Sequence, residues 1–114
     1  MVIESNFLFS KAIPVGDYFG AEPEAATITL RETTVANAAK FQAFGNDAAK
    51  STALFLELLP GLIEDHELFK DEITKFTGAE VAAMVAARAE LGMYLMGKWT
   101  AEVLFTHGRK SDAS

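Results

Sequence analysis

The chain has no cysteine. That excludes a disulfide scaffold, thiolate zinc sites, iron–sulfur ligation and a cysteine nucleophile. Positive charge is also scarce, with 10 Lys and Arg against 16 Asp and Glu, a net of −6. With a sequence pI near 4.8, such a chain lacks the clustered cations that nucleic acids and anionic membranes require. No window approaches the roughly 18 uninterrupted apolar residues of a membrane span. The most apolar stretch, Val81 to Met96, carries Arg88 and Glu90 in its middle. Met1 to Ser10 carries Glu4 and no basic segment, so it does not read as a signal peptide.

What remains is a short chain that is unusually apolar for its charge. Half of its 114 residues are hydrophobic, and its mean hydropathy is +0.15. Area scaling gives about 17,800 Å² unfolded and about 6,100 Å² folded, enough burial for one unstapled core. Alanine accounts for 19 of the 57 apolar residues, so much of the surplus favours helix rather than large buried area.

The period of the pattern changes along the chain. Residues 6–15 read NFLFSKAIPV, a short or edge strand with Ile13 and Val15 flanking Pro14. Turn residues follow, from Gly16-Asp17 to Pro23. Then ATITLR at 26–31 alternates Ile28 and Leu30 with Thr27, Thr29 and Arg31, one apolar face and one polar. Thr33 or Thr34 can cap a helix that runs to Phe44, with Gly45 beyond its end. Asn46 or Asp47 can cap the next, whose leucine stripe should stop or bend at Pro60-Gly61. Thr77 and Glu80 form a capping-box pattern ahead of Val81. A stripe of Leu91, Tyr94, Leu95, Trp99 and Val103 continues beyond, with Arg88-Ala89-Glu90 and Gly92 favouring a break between two helices. The expected fold is α+β and mainly α: an N-terminal β-hairpin packed against four to five helices. It forms one domain over residues 1–105, with a hairpin region at 1–31, a helical region at 33–105 and a flexible polar tail at 106–114.

Searches for chemistry find little. Residues 64–72, EDHELFKDE, hold five carboxylates and one lysine. Counted from Asp65, a calcium loop would need an acid or amide at position five and a glycine at six, where Phe69 and Lys70 stand. Asp65, His66 and Glu67 are consecutive and cannot all face one ion. The simpler reading is a solvated acidic loop, pinned to the core by Leu68 and Phe69, whose histidine pairs locally. His107 has no acid–base partner near it in sequence, and no serine lies in a nucleophile elbow. Gly97-Lys98 is followed by Trp99, so it is no phosphate loop. Nothing in the sequence implies a catalytic residue, a metal site or a cofactor.

The last helix offers a contact surface instead. Off its stripe it carries Met93, Met96 and Leu104, and with Tyr94 these are adaptable and aromatic side chains suited to binding a partner. A helix apolar nearly all round is either central or partner-bound.

The order of segments carries a resemblance. A strand ends Thr29-Leu30-Arg31-Glu32, a capped helix runs from Thr34 to Phe44, and a leucine-rich helix closes on Leu58-Leu59-Pro60. Leu62-Ile63-Glu64-Asp65-His66, a Thr-x-x-Glu-Val start at Thr77 to Val81 and a last helix bearing Trp99 follow. Over roughly residues 28–105 this resembles the small tail assembly chaperones of long-tailed bacteriophages and prophages. The acidic, glycine-free loop after His66 and the alanine-rich segment before the last helix depart from that pattern. The resemblance implies a non-enzymatic chaperone in the host bacterial cytoplasm, absent from the mature virion. Its partners would be the tape measure protein and the tail tube protein, with self-association as a further expectation and neither nucleic acid nor membrane involved. Two other classes stay open on the residues alone: an oligomeric structural or adaptor protein, and a small ligand- or metal-binding domain using the acidic segment.

Overall fold

Trp99 marks where the elements meet. Its side chain is fully buried, its indole N–H donates to the Arg31 carbonyl at 3.0 Å, and its ring lies 5.3 Å from that of Phe41 and 5.4 Å from that of Phe55. One residue therefore joins a strand and three helices. The structure, a computed structural model, describes residues 9–104. In order it contains β1 (Ser10–Pro14), two 3₁₀ turns (Gly16–Phe19 and Pro23–Ala25), β2 (Thr27–Arg31), α1 (Val35–Phe44) and α2 (Ala48–Leu62). Then come β3 (Ile63–His66), α3 (Gly78–Ala87), α4 (Ala89–Trp99) and a π-helical turn, Thr100–Leu104. The fold is α+β and mainly helical, as the sequence patterning implies. Phe7 and Leu8 of the expected first strand, Phe105, His107 and the tail at 106–114 lie outside the described residues.

The sheet differs from the expected hairpin by one strand. Its order is β1-β2-β3, antiparallel throughout. β1 and β2 pair Ile13 with Ile28, and Ile28 and Leu30 point into the core while Thr27, Thr29 and Arg31 are half-buried. β3 pairs Ile28 with His66 and Leu30 with Ile63, with a register shift at Thr29/Leu30. Part of the segment read as a solvated loop is therefore a strand. The long β1–β2 connection folds tightly: a Cβ on Gly16 would stand 2.0 Å from the Glu22 carbonyl oxygen, so only glycine fits there.

The helix boundaries follow their caps. The Thr34 hydroxyl accepts from the Asn37 N–H at 3.2 Å, and the Asp47 carboxylate accepts from the Lys50 N–H at 3.1 Å. Both halves of the Thr77–Glu80 capping box are formed, at 3.1 and 2.8 Å. Pro60 does not stop α2 at once; it lies in the last turn, and the helix ends two residues later at Leu62. A proline there removes one backbone bond near a terminus that leaves carbonyls unpaired anyway. The break between α3 and α4 falls at Arg88, which is extended (φ −119, ψ 103). Gly92 then comes so close to α3 that a Cβ would meet the Val85 carbonyl oxygen at 3.2 Å.

Candidate partner-binding surface

α4 supplies one side of the core. Leu91, Gly92, Leu95 and Trp99 are its buried residues, and Val103 in the π turn is buried as well. An i, i+4 stripe drifts by about 40° per step on an α-helix. The wider π turn returns Val103 towards the interior after that drift. Here the Thr100 hydroxyl donates to the Met96 carbonyl at 2.8 Å.

The four residues singled out beside that stripe have four separate environments. Met93 is 60% exposed. Tyr94 is half-buried; its hydroxyl donates to the Pro14 carbonyl at 2.7 Å and its ring lies 5.0 Å from that of Tyr18. Loss of water around the phenol, then the negative charge of Asp17, push its pKa above the ordinary value. Met96 is half-buried against the core, and its sulfur accepts from the Thr52 hydroxyl at 3.5 Å. Leu104, at the end of the π turn, is half-buried and packed on the core. Tyr94 and Leu104 thus work mainly inside the molecule, whereas Met93 and Met96 border solvent one turn apart. The helix is more central than its sequence suggests, because β1 and the Tyr18 turn cover a side of it that the periodicity leaves open.

Met96 also lines an open groove of about 850 Å³. Its walls come from Phe41, Gln42 and Gly45 at the end of α1, Ser51 in α2, and Gly97, Thr100 and Ala101. The sequence offers no signal for it: α1 is alanine-rich, and the wall arises because Phe41 alone anchors that helix to the core. A smaller cavity of about 370 Å³ lies between Arg31–Thr34 and the end of α2.

The acidic segment resolves into ordinary bonds. His66 is buried, and its Nδ1 accepts from the Leu68 N–H at 3.1 Å, the local pairing expected of it. Asp65 meets the Lys75 amine at 3.1 Å and Glu67 meets the Thr27 hydroxyl at 2.8 Å. Strand alternation turns His66 inward and its two acidic neighbours outward. Among the described residues no group of three or more His, Asp or Glu side chains could hold a metal ion. Leu68 is buried as expected, but Phe69 is 48% exposed, because the chain reverses there and its ring packs under Lys75.

Several carboxylates have lowered pKa values. Asp65 is held down first by the His66 N–H and then by Lys75. Asp71 is held down by the N–H groups of Ile73 and Thr74, Glu80 by the Thr77 N–H and then Lys70, and Glu102 by Lys11 and then Lys98. All of these are structural roles on the surface.

The chain matches no protein-family model, no curated protein and no solved structure. No helix among the described residues is long and apolar enough to cross a membrane.

Proposed function

We propose that this chain is a non-enzymatic assembly chaperone of the phage-tail kind, which holds a segment of the tape measure protein against α4. The observation that carries the proposal is the groove beside Met96, about 850 Å³ and open to solvent. Phe41 and Met96 give it an apolar, adaptable lining. An open, largely apolar groove suits the apolar side chains of an amphipathic helix, one of the recurring modes of peptide recognition. Exposed Met93, one turn towards the N-terminus of α4, extends the same contact. The resemblance over residues 28–105 supplies the client and the setting: host cytoplasm during tail assembly, with the tail tube protein as a later partner.

The test is co-expression of a tagged chain with the tape measure protein of its own genome, followed by capture on the tag. A Met93→Asp, Met96→Asp variant should retain less than a tenth of the client while keeping its helical circular dichroism. Undiminished capture by that variant moves the contact off α4, and failure of the unaltered chain to capture the client removes the chaperone reading.

A further inference from the structure

The hairpin between β3 and α3 has two properties that the groove does not explain. Ile73 is 89% exposed, more than any other large apolar side chain among the described residues, and Phe69 nearby is 48% exposed. The turn that carries Ile73 is nonetheless tightly fixed. The Asp71 carboxylate accepts the N–H groups of Ile73 at 3.0 Å and Thr74 at 2.9 Å. The Lys70 N–H donates to the Thr74 carbonyl at 2.7 Å, and the Phe76 N–H to the Leu68 carbonyl at 3.0 Å. A turn whose backbone is already fixed gives up little further backbone entropy when a partner covers its side chain.

The second property is charge. From Glu64 to Glu80 there are six carboxylates and two lysines, a net of −4. Both lysines are used internally: Lys75 pairs with Asp65 and covers the Phe69 ring, and Lys70 pairs with Glu80 and covers the Phe76 ring. Glu64 and Glu72 have no cationic partner among the described residues. The apolar knob therefore stands where carboxylates outnumber lysines, beside a Glu72 that no cation among the described residues pairs. A nucleic acid or an anionic membrane is repelled by that sign, and so is the same hairpin of a second copy.

We propose that this hairpin docks a cationic amphipathic helix of another protein. The helix's apolar stripe covers Ile73 and the exposed part of Phe69, and the lysines or arginines bordering that stripe meet Asp71 and Glu72. None of these residues lines the groove beside Met96, so this contact stands independently of the chaperone reading.

The test uses three labelled peptides and fluorescence anisotropy: a helix with a leucine stripe flanked by lysines, its glutamate-flanked counterpart, and a serine-for-leucine version that keeps the lysines. The intact chain should bind the leucine–lysine peptide saturably and the other two at least tenfold more weakly. Ile73→Ser should weaken binding about tenfold, in line with the transfer energy of one isoleucine, and Glu72→Lys should weaken it and flatten its salt dependence. Met96→Asp should leave it unchanged. Circular dichroism and Trp99 fluorescence check each variant's fold; Glu72 and Ile73 are exposed, so substitution there leaves it intact. The proposal is overturned by equal binding of Ile73→Ser and the intact chain, by equal binding of the serine–lysine peptide, by loss of binding in Met96→Asp, or by no binding at all.

Discussion

α1 and α4 are nearly equal in length, 10 and 11 residues, yet they are held very differently. α4 buries Leu91, Gly92, Leu95 and Trp99, whereas α1 buries Phe41 alone and leaves Val35 87% exposed. The two helices form facing walls of the groove. One wall is therefore part of the core and the other is anchored to it by a single buried aromatic ring. A groove with one rigid and one yielding wall can accept segments of different girth, because segments with few buried contacts open most readily.

That contrast can be broken by substitution. Trp99→Ala removes the largest buried side chain and should cost about 3–5 kcal/mol, seen as a fall in the urea midpoint that affects the whole molecule. Phe41→Ala should cost about 3 kcal/mol, at the low end of the range for such truncations, with a different pattern. Amide exchange should accelerate over 35–44 while α4 keeps its protection; uniform loss across both helices would show the two walls to be one cooperative unit.

Tyr94→Phe sharpens the comparison from the α4 side. It removes the donor to the Pro14 carbonyl and should cost about 1 kcal/mol, measured as a lower Tm with unchanged helix content. The smallest effect concerns Glu102, which joins the end of α4 to Lys11 of β1 and to Lys98. Its pKa is lowered in the folded chain from the usual 4.5. The stabilisation it provides is therefore complete above about that value and is lost as pH falls through the folded pKa. Urea midpoints between pH 6 and pH 3 should fall less steeply in Glu102→Gln than in the unaltered chain, and an unchanged slope would remove this carboxylate from the account.

The elements written by strong local rules were legible in the sequence. β2 alternates cleanly, Thr34, Asp47 and the Thr77–Glu80 pair all cap, and Leu91, Leu95, Trp99 and Val103 all reach the core. β3 was not legible, because Glu64, Asp65 and His66 have poor strand propensity; pairing with the centre of the sheet outweighs it. Nor could periodicity show that Tyr94 turns to the Pro14 carbonyl, a contact spanning 80 residues. For the same reason only Met96 of the four side chains picked from the helix proves to line the groove, whose other wall depends on how α1 docks.

The Tyr94 contact has a further consequence, at the rim of the sheet. The Glu32 N–H bonds the Phe9 carbonyl and the Val15 N–H bonds the Ala26 carbonyl. By antiparallel alternation, the backbone groups of Ser10, Ala12 and Pro14 then face away from β2. Pro14 has no N–H to offer, and Tyr94 occupies its carbonyl. Among the described residues, β1 thus offers an incoming strand only the outward backbone groups of Ser10 and Ala12, which makes this stretch a poor template for edge-to-edge pairing.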